Sequence, residues 1–145
     1  MSHKLPLSVL VIVHTAAGDV LLLERALRPG YWQSVTGSVD SLEEPLQRAA
    51  EREVREETGI EANAGRLERW NVVYTFEIYR QWRHRFAPGV LHNLEHVFAL
   101  EFSRRPAVRL AADEHVDSVW LPWREAAAKC FSWSNRDAIM MLGEK

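Results

Sequence analysis

The run LSVLVIV, from Leu7 to Val13, is apolar at every position but Ser8, and four of its residues, Val9, Val11, Ile12 and Val13, are β-branched. It is far too short for a membrane helix, which needs about 20 apolar residues, and no cleavage site follows it. It therefore reads as a buried strand, and the rest of the chain must supply its cover. Ala17-Gly18-Asp19 makes a turn into a second strand, Val20–Glu24, so the two form a hairpin. Tyr31–Val39 is extended, punctuated by Gly30 and Gly37. Glu43–Thr58 is helical, with Pro45 tolerated in the first turn and Gly59 placed just past the last. Three more strands follow at Val72–Tyr79, Leu94–Phe102 and Val116–Leu121. A short helix near Arg124–Lys129 and another that Ser134-Asn135 can cap close the chain. This order predicts an α/β protein: a mixed sheet packed between helices, in a single domain over residues 1–145.

Composition narrows the partners. A chain of 145 residues can bury a sizeable core, and its 47% hydrophobic and 26% charged content is that of ordinary globular proteins. A net charge of −2 gives no general pull toward nucleic acid or an anionic membrane, so an anionic small molecule needs a local basic site. Cys130 is the single cysteine, which excludes an internal disulfide. Its AAAKCF setting reads as a buried helix position rather than a nucleophile. With no signal peptide in view, the expected compartment is a reducing cytoplasm. The six histidines show neither HExxH nor Cys/His spacing, which argues against zinc.

The central helix carries the chemistry. At 100° per residue, Leu46, Ala50 and Val54 form an apolar stripe, while Glu44, Arg48, Glu51 and Arg55 fall on the solvated side. Glu53 and Glu57 continue the apolar line, and Glu56 flanks it. Helical charge runs are commonly solvated faces with i,i+4 partners, and Arg48, Arg52 and Arg55 offer such partners. Carboxylates on a core-facing line, however, are costly without a cation. An all-oxygen donor set suits a hard ion, Mg²⁺ or its substitute Mn²⁺.

These residues resemble the Nudix box, GX5EX7REUXEEXGU with U aliphatic. Here the box reads Gly37, Glu44 and then Arg52-Glu53-Val54-Arg55-Glu56-Glu57-Thr58-Gly59-Ile60. One extra residue separates Gly37 from Glu44, in the loop before the helix. The resemblance implies an α/β/α sandwich that hydrolyses a substituted nucleoside diphosphate with divalent metal. It implies Glu53 and Glu57 as metal ligands with Glu56 as a third, Arg52 as the residue that orients them, and Gly37 as the site of a tight backbone turn.

Outside the box, the chain resembles the branch of that family that releases pyrophosphate from 7,8-dihydroneopterin triphosphate. The stretches are WQSVTGSV, FEIY, RHRFAPGV, NLEHVFAL, DEH and SWSNR. By position, this implies Glu114 as a further metal ligand or base. It implies ligand contacts from Lys4, Arg25, Thr36, Phe76, Glu77, Ile78, Tyr79 and Ser132. Read alone, Lys4 and Arg25 are ordinary surface cations, Glu114 a loop carboxylate and Thr36 a strand residue. Glu95 is either a base or an ion-pair partner of Arg83, His84 or Arg85. The Arg83–Arg85 segment either binds the triphosphate or pairs with the glutamates. Trp32, Trp82 and Trp133 either stack on a pterin ring or pack at the core rim. The implied substrate is thus a small-molecule triphosphate, with a broader (d)NTP pyrophosphohydrolase, for instance on dATP or an oxidised nucleotide, as the alternative. A non-catalytic Nudix binding domain usually has a degenerate box; here every box glutamate is present.

Overall fold

The computed structural model describes residues 3–144, which omits both ends of the expected 1–145 span. Strand β1 (Leu7–Thr15) is the axis of the molecule. Val9, Val11 and Val13 join one core with Ala49, Ala50 and Val54 of helix α1 (Leu46–Thr58). Leu10 and Ile12 point to a second core with helices α2 (Trp123–Lys129) and α3 (Trp133–Met140). The period of two along a strand buried on both faces demands helices on both sides, and the result is an α/β/α sandwich. Truncating Ile12 to Ala would cost roughly 2–5 kcal/mol, because its side chain is fully buried in the second core.

The other strands are β2 (Asp19–Arg25), β3 (Trp32–Gln33), β4 (Val35–Ser38), β5 (Arg66–Glu77), β6 (His92–Phe102) and β7 (His115–Pro122). The main path runs β3-β2-β1-β6-β5, with β4 on β1 and β7 on β2. β1 and β6 are parallel from Leu7↔Leu94 to Thr15↔Phe102, and the other pairings are antiparallel. The sheet is therefore mixed, as expected.

The expected hairpin is only partly formed. β1 and β2 are paired at His14↔Val20, and the same edge of β1 is then taken by β4 from Ser8↔Ser38 to Val11↔Val35. β2 instead runs along β7. The sheet forks where β2 and β4 part, and the fork opens the cleft that holds the site.

Several expected boundaries move for local reasons. α1 begins at Leu46, with Pro45 as its N-cap at φ −60 and ψ 139. Proline disfavours helical backbone at the residue before it, so Glu43 and Glu44 stay in the loop. Gly59 caps the other end at φ 72, and its N–H donates to the Arg55 carbonyl. β5 starts at Arg66 rather than Val72, with an irregularity between Arg69 and Val73 that includes Asn71 at φ 57. α3 is capped by Ser132, whose hydroxyl accepts from the Asn135 amide, not by Ser134 or Asn135. Cys130 ends α2 half-buried instead of lying inside the helix, and burial pushes its thiol up to about 12. Among the described residues no helix is long and apolar enough to cross a membrane.

Candidate active site

Arg52 organises the acidic helix. Its Nε and Nη2 donate to the two carboxylate oxygens of Glu44 at 2.9 and 3.0 Å, a fork-to-fork pair. Nη1 donates to Glu53 at 2.7 Å and to Glu56 at 3.1 Å, and Nη2 reaches the Ser38 carbonyl at 3.1 Å. Asp40 adds an ion pair at 3.2 Å, and its backbone N–H donates to Glu44. With 17% of its side chain exposed, Arg52 is fixed from five sides.

Glu44 is thus not a solvated charge. Helical phase does not apply to it, because it precedes the helix. Arg52 holds its carboxyl below the usual range, against a smaller opposing effect of burial. The extra residue of the Gly37–Glu44 loop leaves this clamp intact.

Gly37 is a strand residue, paired with Val9 in β4, and it makes no left-handed turn. A Cβ there would run into the carboxylate of Glu53. Glycine is required for space rather than for backbone conformation.

Glu57 is 2% exposed, and its Oε1 has no hydrogen-bond partner among the described residues. Burial raises the pKa of both Glu53 and Glu57, and the Glu53 charge raises Glu57 further. The exposed Glu114, just before β7, is close enough to add to that rise. His115 brings Nε2 to 4.0 Å from Glu57. Burial and then the Arg25 charge push this imidazole down to about 4, so it is neutral near pH 7 and no ion pair forms. An orphaned buried carboxylate oxygen beside a second carboxylate, with a side-chain-free cradle at Gly37, fits a divalent cation. Among the described residues no three acidic, histidine or cysteine side chains converge closely enough to hold one alone. Glu56 is turned to Arg52 and 50% exposed. The fit is to an ion such as Mg²⁺ that takes one or two carboxylates and completes its shell from phosphate and water.

Across the cleft stand cations. Lys4, Arg25 and Arg85 line the same cavity of about 650 Å³ as Glu53 and Glu57. Desolvation and then Arg85 lower the pKa of both Lys4 and Arg25, so these cations lack full compensation. Among the described residues none of the three has a carboxylate ion pair. Arg25 lies over the Trp82 ring at 4.8 Å, donates to Gln33 at 3.2 Å and leaves its Nε unpartnered. Uncompensated cations facing buried carboxylates make a place for a polyanion with its counter-ion.

The remaining wall is aromatic and the floor polar. Phe76 and Glu77 end β5, and Ile78 and Tyr79 follow it along the cavity. Tyr79 meets Trp82 edge-on at 5.2 Å, and Trp133 meets Tyr74 edge-on at 5.4 Å. Trp32 carries Lys129 instead. Arg83 pairs with Glu77 at 3.4 Å and donates to the Ile78 carbonyl.

Glu95 pairs with none of Arg83, His84 and Arg85. Its Oε1 accepts from the Ser134 hydroxyl at 2.9 Å, and burial pushes its carboxyl up to about 7. Two ligand expectations find other work as well. The Thr36 hydroxyl donates to the Val9 carbonyl, leaving its backbone amide beside Glu57, and Ser132 caps α3.

Ser8, Gln33, Asn93, Ser134 and Asn135 line this cavity although the sequence pointed to none of them as a site residue, Ser134 and Asn135 reading only as a helix cap. Polar Asn93 and Glu95 at alternate places in the strand NLEHVFAL were the available signal. Asn135 gave none, since it is tied to Ser34 by two hydrogen bonds across 101 residues.

Comparison with known proteins agrees with this geometry. Residues 4–142 match the NUDIX domain. The chain is 42% identical over 140 residues to the dihydroneopterin triphosphate diphosphatase of Escherichia coli K12, covering 94% of this chain and 91% of that protein. It is 36% identical over 142 residues to the Haemophilus influenzae protein of the same name, covering 96% and 88%. The structure of the E. coli dihydroneopterin triphosphate pyrophosphohydrolase superposes with a TM-score of 0.89 at 40% identity over 97% of each chain.

Proposed function

Because the chain belongs to the Nudix family, we propose that it hydrolyses 7,8-dihydroneopterin triphosphate to dihydroneopterin monophosphate and pyrophosphate. The observation that carries this reading is the single cavity joining the Glu53–Glu57 pair, the Lys4–Arg25–Arg85 cations and a polar-floored aromatic recess. Such a cavity suits a flat heterocycle with a triphosphate tail, and its volume lies within the usual range for a small-molecule site.

Glu53 and Glu57 would hold Mg²⁺, or Mn²⁺ in its place; Glu56, now paired with Arg52, and Glu114 would serve as further ligands only by turning toward the ion. When bound, the ion supplies positive charge to the phosphate oxygens and acidifies water. Arg52 fixes the Glu53 carboxylate through a 2.7 Å bond, so the ligand does not have to be ordered at each turnover. Lys4 and Arg25 neutralise the tail. Phe76, Glu77, Ile78 and Tyr79 border the heterocycle, and Ser132 holds the α3 end of the recess. Water attacks one phosphorus of the α–β phosphoanhydride: its oxygen stays on that product, the bridging oxygen leaves with the other as the bond opens, and the two protons of water pass to the products or solvent. The raised pKa of Cys130 removes it as a nucleophile, and its lone half-buried thiol fits a reducing cytoplasm.

The test is pyrophosphate release with Mg²⁺ from dihydroneopterin triphosphate and from a (d)NTP panel that includes dATP. The expected preference in kcat/KM for the pterin is at least roughly tenfold. Equal values throughout would replace the pterin reading with a general (d)NTP pyrophosphohydrolase, and release of single phosphates would contradict the bond assigned.

A further inference from the structure

The recess beyond the metal-binding carboxylates has a floor with its own chemistry. Ser8, Asn93 and Glu95 come from the paired strands β1 and β6, and all three are buried. Asn93 donates to the Ser8 hydroxyl at 2.8 Å, so these two largely satisfy each other. Glu95 is different. At 6% exposure it has one hydrogen bond among the described residues, from Ser134 to Oε1. Oε2 has no partner, yet it is not among the sealed polar atoms, so it opens onto the cavity that Glu95 lines. Among the described residues no cation is paired with it. A carboxylate kept in such a place costs stability unless a ligand with N–H donors meets it.

We infer that Glu95 determines base specificity by accepting the two adjacent N–H donors of a 2-amino-4-oxopyrimidine edge, with Ser134 holding its carboxylate in the required plane. Pterins carry that edge as a ring N–H beside an exocyclic amine, and guanine carries the same pair. Adenine and cytosine offer an amine beside a ring acceptor, which would set a lone pair against one carboxylate oxygen. Uracil and thymine present a single N–H between two carbonyls. A site whose buried acceptor is left facing an acceptor discriminates strongly. The inference deepens the proposed function and rests on the same cavity being the substrate site.

The experiment separates it from that proposal. Wild type, Glu95→Gln and Ser134→Ala are compared on dihydroneopterin triphosphate, dGTP, dATP and dCTP. Binding of unphosphorylated 7,8-dihydroneopterin and of guanosine is measured by tryptophan fluorescence without metal. Glu95→Gln is expected to raise KM for the pterin and for dGTP roughly 10- to 100-fold at nearly constant kcat. Its amide presents a donor beside an acceptor, so dATP is expected to be unchanged or improved. Ser134→Ala is expected to shift the same two substrates in the same direction by a smaller factor. Weaker binding of both unphosphorylated ligands to Glu95→Gln supports the assignment without recourse to turnover. An equal loss on all four substrates, a fall in kcat alone, or unchanged pterin and guanosine binding would overturn it. If wild type failed to cleave the pterin triphosphate, the proposed function would fall, while the dGTP-to-dATP ratio and guanosine binding would still decide the role of Glu95.

Discussion

The Cα of Gly37 lies against the Glu53 carboxylate, so that a methyl group at position 37 would need the space this carboxyl fills. The strand and the helix are both fixed, the one by pairing with β1 and the other by its apolar stripe. The carboxyl must therefore yield. Gly37→Ala is expected to lower kcat/KM by roughly 10²-fold through misplacement of one ligand, with an unchanged far-ultraviolet circular dichroism spectrum. Full activity in this variant would show that the position of Glu53 is not critical.

Glu44 touches neither end of the cleft directly but holds two nitrogens of Arg52. Glu44→Gln keeps the shape and removes the charge. Mn²⁺ affinity, followed by titration, is expected to weaken roughly 10- to 100-fold as Arg52 loosens its hold on Glu53. Loss of activity at unaltered Mn²⁺ affinity would point to substrate positioning instead.

Metal binding should be visible in stability. Glu57 is buried with an orphaned oxygen and a like charge beside it, a cost that a cation removes. At a hundred times its dissociation constant, Mg²⁺ is expected to stabilise wild type by about 2.7 kcal/mol, and chelator to reverse this. Glu57→Gln is expected to show little Mg²⁺-dependent rise in Tm and little turnover. A rise equal to that of wild type would remove Glu57 from the ligand set.

Glu95 makes stability depend on pH. Its folded pKa of about 7 stands above the ordinary 4.5, so the folded chain binds the proton more tightly than the unfolded one. The favourable contribution is complete below pH 4.5 and is lost as pH rises through 7. Glu95→Gln should therefore match wild type near pH 4.5 in urea unfolding and exceed it by roughly 1–3 kcal/mol at pH 8. A difference that did not change with pH would rule out the buried carboxyl as its source.

Cys130 should be inert. With its thiol at about 12, the thiolate fraction at pH 8 is on the order of 10⁻⁴. Iodoacetamide is expected to leave residue 130 unmodified in the folded protein, by mass spectrometry, and to modify it in urea.

Residues whose roles were legible in the sequence act within one element. The stripe Leu46, Ala50, Val54 and its continuation into Glu57 follow from helical phase alone, and the buried β1 from its apolar run. Helical phase misplaces Glu44, because that phase does not hold before Leu46, where the backbone is no longer helical. The hairpin was half right because adjacency in sequence fixed the turn but not which strand takes the rest of the β1 edge. The tight turn that the Nudix resemblance implies at Gly37 is a strand instead, and the contact that requires glycine there, Glu53, lies on another element and leaves no local signal. Ser134 and Asn135 looked like caps because capping is their local chemistry, while their real partners, Glu95 and Ser34, are distant in the chain.

The fork in the sheet has a kinetic consequence. Asn93 and Ser8 meet across 85 residues at the floor of the cleft, and Asn135 of that floor is tied to buried Ser34 across 101. Closing such large loops costs chain entropy before any contact repays it, and contacts of this separation slow folding. During synthesis the acidic helix emerges early, yet the recess cannot close until α3 has left the ribosome. A nascent chain stopped before Ser134 would carry all the box glutamates and the aromatic wall but lack the floor residues Ser134 and Asn135.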